Sequence, residues 1–244
     1  MQEIVYHTNF LLEENYWWFV ARNFIVKSLI KKKCNISHGD IILDAGCGTG
    51  GFAKILANDY QMLCLDTSEI ALDYCRKRGL EHLFLTTIDG FPKSNWNVQA
   101  VTMLDVIEHI DDDVKTVADV SSIISKNGYF IVTVPAYQWM WSQHDELHMH
   151  KRRYTKKTIT NLLITNGFSI DYASYLNFFL FLPAVLKRLI GSKIHKTNEI
   201  QSPVDKLPAF LNSLFRNVFK LEAYLLPLIR FPFGLSVIVI ARKI

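Results

Sequence analysis

Residues Ile41 to Phe52 read I-I-L-D-A-G-C-G-T-G-G-F. Ile41, Ile42 and Leu43 form a short apolar run, the pattern of a strand buried on both faces. The run ends at Asp44, and Gly46, Gly48, Gly50 and Gly51 follow at once. Phe52, Ala53, Ile55, Leu56 and Ala57 then open a helical pattern. A strand, a glycine-rich turn and a helix bring backbone close to a bound nucleotide, because a Cβ in the turn would block the approach. Gly46, Gly48 and Gly51 also satisfy G-x-G-x-x-G, the weak fingerprint of a dinucleotide site.

Outward from this turn, apolar runs and helical stretches alternate, so an α/β fold is expected. Met62 to Leu65 is a second strand ending at Asp66, and a helix from Ser68 to Arg78 is closed by Gly79. Asp66 stands twenty residues past Gly46, where a carboxylate can accept from both hydroxyls of a ribose. Leu83 to Ile88 reads as a third strand followed by Asp89-Gly90, and Ala100 to Leu104 as a fourth. The fourth runs into Asp105-Val106-Ile107-Glu108-His109-Ile110. A helix then starts at Asp111-Asp112-Asp113, with Val114, Val117, Val120, Ile123 and Ile124 as its apolar face, and Asn127-Gly128 stops it. Tyr129 to Val134 is a fifth strand, ended by Pro135.

The D-x-G-x-G-x-G pattern from Asp44 to Gly50 resembles the first motif of the Rossmann-like, class I S-adenosylmethionine (SAM) methyltransferases. V-I-E-H-I after the fourth strand is a second likeness, closest in kind to quinone-pathway O-methyltransferases. The loop H-D-E-L-H-M-H-K-R-R-Y-T is similar to uncharacterised bacterial methyltransferases that accompany polysaccharide and lipid assembly. The resemblance implies a seven-stranded mixed sheet flanked by helices, with an antiparallel last strand between the fifth and sixth. It implies SAM as cofactor, held by Asp44, Gly46, Cys47, Gly48, Asp66, Thr67, Asp89, Leu104 and Asp105, with Asp89 near the adenine amino group. Residues 1–40 would form a helical lid, with Arg22 pairing the methionine carboxylate and Trp17 facing substrate. Residues 41–175 and 234–244 would form the core of a single domain, and 176–233 a helical insertion. The alternatives are a SAM-fold binding module without catalysis and an NAD-dependent oxidoreductase.

Methyl transfer to a hydroxyl needs its proton removed, and a histidine titrating near neutrality suits that task. His109 is the first candidate base, followed by His144 and His148. The stretch Ala136 to Tyr154 holds three histidines, two tryptophans and two adjacent arginines. A loop longer than about 12–15 residues is usually functional. Tyr137, Arg152, Arg153 and Tyr154 are therefore expected at the acceptor, the arginines holding a phosphate or carboxylate. Trp139 and Trp141 read as packing against the sheet edge. Asp105, Glu108 and His109 give D-x-x-E-H, against the E-x-x-E-H at which the similar quinone-pathway enzymes can place a divalent ion. The shorter aspartate argues for no metal.

Thr155 caps a helix ended by Asn166-Gly167, Phe168 to Tyr175 is a strand, and Gly234 to Ala241 is the last. Between those strands, 176–233 is anomalous. Phe178 to Leu182 is apolar, a polar linker spans Ser192 to Asp205, and Phe210 to Leu226 repeats apolar residues at helical spacing. Lys187, Arg188, Arg216, Lys220 and Arg230 are interspersed. An apolar face beside a basic one can cap a greasy or lipid-linked substrate, form a homodimer interface, or lie on an anionic membrane.

The chain of 244 residues is long enough for one sizeable core, and half of its residues are hydrophobic. A net charge of +4 is too small to argue for nucleic acid. Cys34, Cys47, Cys64 and Cys75 have no ligand spacing and read as reduced thiols. There is no basic, apolar leader and no run of about 18 apolar residues. A cytoplasmic protein, peripheral at most to the inner membrane face, is expected.

Overall fold

A computed structural model describes residues 3–191 and 207–244. The chain opens with helices α1 (Glu3–Leu12) and α2 (Trp17–Lys33). Then follow β1 (Ile41–Ala45), α3 (Gly51–Leu56), β2 (Gln61–Asp66), α4 (Glu69–Lys77), β3 (His82–Leu85), β4 (Val98–Leu104), α5 (Asp113–Ile123) and β5 (Ile124–Pro135). The second half has α6 (Gln143–Leu147), α7 (Lys156–Thr165), β6 (Phe168–Leu176), α8 (Phe181–Gly191), α9 (Ala209–Leu225) and β7 (Ser236–Lys243). The sheet order is β3-β2-β1-β4-β5-β7-β6, with β7 antiparallel to both neighbours and the other pairs parallel. The expected seven-stranded mixed sheet is therefore present, with its last strand inserted between the fifth and sixth.

Parallel central strands must be covered on both faces, which explains their unbroken apolar runs. Ile42, Leu43, Leu63, Val101, Ile131 and Val132 are fully buried. The chain leaves β1, β2 and β4 at the same edge of the sheet, so the turns after Ala45, Asp66 and Leu104 lie together there. This is where open α/β sheets bind ligands. Ser68 caps α4 through the Ala71 N–H, and Thr155 and Thr158 form a reciprocal capping box at α7.

Several boundaries differ from the sequence reading. The third strand stops at Leu85, and Ile88–Gly90 is a 3₁₀ turn. Helix α5 stops at Ile123, so Ile124 opens β5 opposite Val98. Asn127, at φ 63°, accommodates the irregularity between that pairing and Ala100–Tyr129. Val114, read as core, is exposed because only the faces of α5 carrying Thr116, Val117, Val120 and Ile123 meet the sheet. The stretch 136–154 is not structureless: it holds a 3₁₀ turn at Gln138–Met140 and helix α6.

In the inserted region, α9 packs on α2. Trp17 meets Phe215 and Phe219 edge-on, at 5.7 and 6.1 Å between ring centroids. Asn212 accepts from the Trp17 N–H and donates to the Asn15 carbonyl, tying α9 to the break between α1 and α2. Glu222 is fully buried and accepts from the N–H groups of Asn177, Phe178 and Phe179. Burial pushes its carboxyl up to about 7 against those three donors. The polar linker expected at Ser192 to Asp205 lies outside the described residues. Among the described residues, no helix is long and apolar enough to cross a membrane.

Candidate active site

The glycine turn is shaped by contacts that only glycine permits at two places. At Gly46, φ is 75° and a Cβ would stand 2.7 Å from both methyls of Val106. The close approach packs the turn directly on the segment leaving β4. At Gly48, φ is 55° and nothing lies within 4 Å of a Cβ position, so bare backbone faces open space. Asp66 organises this backbone: its carboxylate accepts from the N–H groups of Gly48 and Ser68, each at 3.0 Å. Burial raises its pKa, and those two backbone donors pull it back. Cys47 is buried, with its sulfur 3.8 Å from that of Cys75, and Thr67 is exposed beside Asp66. Among the described residues Cys34, Cys47, Cys64 and Cys75 are all free thiols.

Asp44 lies beneath the turn, almost wholly buried, and accepts from the Thr102 hydroxyl at 2.6 Å. The register requires this, since Asp44 on β1 stands opposite Thr102 on β4. Burial pushes the Asp44 carboxyl up to about 7, against the Thr102 hydrogen bond and the Arg22 charge.

Helix α1 lies over the turn. The Thr49 hydroxyl donates to Glu13 at 2.6 Å. Arg78 donates through Nε to the Thr49 carbonyl at 2.8 Å, and its other nitrogens reach Glu13, Glu14 and the Phe10 carbonyl. Tyr6 bonds to the Ser68 side chain, close to Asp66. Sequence reasoning missed Glu13 and Arg78. Neither sits in a motif, and a buried arginine closing a helix is indistinguishable in sequence from a solvated one.

Arg22, on α2, faces the same edge but meets protein: its Nη1 lies 2.6 Å from Asp105 Oδ2. Its Nε and Nη2 donate to Asn23, and its guanidinium stacks 4.7 Å from the Trp18 ring. Arg22, expected to pair a cofactor carboxylate, has Asp105 as its ion-pair partner. Asp105 itself adopts φ 58°, which costs a non-glycine residue roughly 1–3 kcal/mol and clusters at functional sites. Leu104 is half-buried just before it. Asp89, expected at the adenine, is exposed and bonded to Thr87 and Lys115.

On the acceptor side, the two arginines have internal partners. Arg153 forks onto fully buried Asp145, with Nε to Oδ1 at 2.7 Å and Nη2 to Oδ2 at 2.9 Å, and also donates to the Ala136 carbonyl. Arg152 pairs with Asp113 at 2.9 Å and donates to the Asp111 carbonyl. These bonds tie the 136–154 segment to itself and to α5, so both arginines, expected at a substrate anion, have protein partners. Tyr154 is likewise buried, its hydroxyl donating to Asp113 at 2.8 Å. Tyr137 stacks between Trp139 and Tyr175 and meets Phe181 of α8 at 5.9 Å. Trp139, expected to pack inward, is 60% exposed. Trp17 is half-buried against α9.

Among the candidate bases, the His144 side chain lies outside the described residues. His109 closes a 3₁₀ turn at Ile107–His109, and its ring stands 4.6 Å from that of His150, edge to face. Burial lowers its pKa to about 4, with His150 adding to the shift, and the ring is bonded to the His148 backbone. Glu108 beside it is fully buried, and neither carboxylate oxygen has a hydrogen-bond partner among the described residues. Burial, then Asp105, raises that carboxyl well above the usual range. The Lys151 N–H donates to the Glu108 carbonyl at 2.7 Å, joining the two segments. His150 Nδ1 lies 2.9 Å from Asp145. Burial would raise Asp145, but His150 and Arg153 hold it well below the usual carboxylate range.

Comparison with known proteins agrees with this geometry. A family model described as a methyltransferase domain matches residues 22–173. A probable S-adenosylmethionine-dependent methyltransferase of Mycolicibacterium smegmatis is 28% identical over 168 residues, covering 66% of this chain and 62% of that relative. Less than two thirds of that relative's length is thus spanned. The crystal structure of a SAM-dependent methyltransferase from Archaeoglobus fulgidus superposes with a TM-score of 0.59 at 17% identity, over 96% of this chain and 99% of that one. The geranyl diphosphate C-methyltransferase of Streptomyces coelicolor gives a TM-score of 0.59 at 12% identity, over 90% and 75%. The dinucleotide oxidoreductase reading of the glycines is set aside by the family match. With its glycine turn, Asp66 and sheet order as described, the chain belongs to the methyltransferase-domain family of the class I, SAM-dependent superfamily.

Proposed function

We propose that the chain transfers the methyl group of SAM to an oxygen of a small, lipid-linked or sugar acceptor. The cofactor would lie across Gly46, Cys47 and Gly48, its ribose on Asp66 and Thr67, with Asp44, Leu104 and Asp105 lining the methionine side. The acceptor would enter between the Asp105–His109 segment and the 136–154 segment. In-line attack on a sulfonium methyl disperses charge, so positioning and exclusion of water carry most of the rate. What remains is to remove the hydroxyl proton. The observation that carries the reading is the cluster of buried Glu108 with half-buried His109 and His150, the first two just beyond Val106, on which Gly46 packs.

A lipid-linked acceptor is favoured by the inserted helices. Leu182 and Leu186 on α8 and Phe210, Leu214, Leu221 and Tyr224 on α9 are more than half exposed. Arg216 and Lys220 lie among them on α9. Leaving such side chains in water forgoes about 1.5–3 kcal/mol each for the larger ones. A membrane surface or a lipid tail recovers it.

The experiment supplies SAM carrying a deuterated methyl group to the protein in lipid and sugar extracts and follows the label by mass spectrometry. The expected product is an O-methylated, membrane-extractable molecule that a His109→Ala variant does not form. Label on nitrogen or carbon, or none at all from a protein that binds S-adenosylhomocysteine, overturns the reading. Co-sedimentation with anionic vesicles tests the insertion, and a protein that stays in solution as a dimer assigns that surface to a second copy instead.

A further inference from the structure

We infer that Glu108, His109 and His150 form a binding site for one divalent first-row transition ion, Zn²⁺ being the ion that best suits the set. One ligand atom from each of the three lies within 4.8 Å of the other two. Bonds of about 2.0–2.2 Å at tetrahedral angles put ligand atoms about 3.3–3.6 Å apart, so side-chain rotations that bring the widest pair together by roughly an ångström close the site. Two imidazoles and one carboxylate, with remaining positions open, are the donor set of catalytic rather than structural ions.

Three independent features point to a cation rather than to packing. First, Glu108 is 0% exposed and both its oxygens lack a hydrogen-bond partner among the described residues. Native folds rarely leave a buried carboxylate so, because its lost hydration is not replaced. Second, His150 is oriented as a ligand is. Its Nδ1 meets Asp145 at 2.9 Å, and Asp145 is itself fixed by the Arg153 fork and by the N–H and hydroxyl of Ser142. A carboxylate behind the imidazole sets tautomer and aim at metal centres. Third, the bond from the Lys151 N–H to the Glu108 carbonyl, at 2.7 Å, holds the segment bearing His150 against the turn bearing the other two. Asp105 is not in the set, because Arg22 occupies its carboxylate. The site therefore differs from the D-x-x-E-H reading by taking its third ligand from the distant segment, and it replaces the expectation of no metal.

The role of the ion rests on the methyl-transfer reading. An acceptor hydroxyl bound at an open position would release its proton to water, since a bound cation lowers the pKa of a coordinated hydroxyl. The oxygen lone pair then forms the bond to the methyl carbon. The carbon–sulfur bond breaks with its electron pair going to sulfur, leaving neutral S-adenosylhomocysteine.

The test uses untagged full-length protein, stripped by chelation and titrated with Co²⁺ and then Zn²⁺, without SAM or acceptor. The expected result is one Co²⁺ per chain with visible d–d absorption that Zn²⁺ displaces. Glu108→Gln and His150→Ala should each weaken the ion at least tenfold, with circular dichroism and S-adenosylhomocysteine binding retained. Glu108→Gln keeps the buried shape, so a misfolded His150→Ala variant leaves the test intact. A folded parent protein that takes up no stoichiometric ion, or a folded Glu108→Gln variant that binds as tightly as the parent, overturns the site. Methyl transfer by a protein that takes up no ion overturns the site and leaves the function. A bound ion in a protein without transferase activity does the reverse.

Discussion

The glycine-turn side of this edge and the 136–154 side, proposed to hold cofactor and acceptor, are built in different ways. Around the glycine turn, the aspartates are satisfied by backbone amides or by a hydroxyl on the next strand: Asp66 by the N–H groups of Gly48 and Ser68, Asp44 by the Thr102 side chain directly opposite. On the acceptor side, the charges are satisfied by one another across a folded loop, Arg153 by Asp145 and Arg152 by Asp113. Among the described residues Glu108 is the buried carboxyl whose oxygens both lack a hydrogen-bond partner. The first side is a platform fixed by the sheet. The second is a self-braced segment laid over it, and its one unbalanced group marks where chemistry is expected.

Breaking the brace should have the largest effect on the fold. Arg153→Met leaves Asp145 charged and fully buried without its fork. Removing one partner of such a pair costs about 3–5 kcal/mol, which urea unfolding would read. A loss below about 1 kcal/mol would mean that His150 and Ser142 alone satisfy Asp145, and that the acceptor segment is held otherwise.

Asp44 sharpens the contrast through pH. In the folded chain its carboxyl keeps a proton up to about pH 7, whereas the unfolded chain releases it near 3.8. The folded state therefore binds more protons between those values. The stabilising contribution is present at low pH and is lost as pH rises toward 7, by about 1.4 kcal/mol per unit at most. Glu222, raised to about 7 for the same reason, adds a slope of the same sign. Asp44→Asn should flatten part of the slope in a series of urea melts from pH 4 to 8. Parallel profiles for the two proteins would place the Asp44 proton elsewhere.

Trp139→Ala should change stability least, within about 0.5 kcal/mol, because the ring is mostly in water. If the acceptor segment receives the substrate, the same variant raises KM while leaving S-adenosylhomocysteine affinity as it was. An unchanged KM would take Trp139 out of the acceptor path.

The same contrast explains what the sequence disclosed. Asp66 ends an apolar run and the Thr155 cap is set by its own next turn, so each was legible from spacing, whereas the bond from the Gly48 N–H to Asp66 was not. Arg153 looked free because nothing in a run of Lys151-Arg152-Arg153 announces a fork onto a residue eight positions earlier, across a helix. His150 was passed over for His144 and His148. Its importance comes from Asp145 behind it and Glu108 across from it, and neither relation has a period. Val114 was misplaced because helical spacing gives a stripe but not its width, and the sheet covers only part of α5. Arg78 and Glu13 were invisible because their meeting depends on where α1 lies.

Calorimetry with S-adenosylhomocysteine tests the central claim, that the turn held by Asp66 is the cofactor platform and the braced segment is not. The full chain should bind one equivalent. Asp66→Ala gives up two charge-assisted hydrogen bonds to the ribose, worth about 1.5–3 kcal/mol each, so its affinity should fall by two orders of magnitude or more. Trp139→Ala should bind as the parent does. A folded parent protein that binds no S-adenosylhomocysteine, or an Asp66→Ala variant of undiminished affinity, would contradict the account.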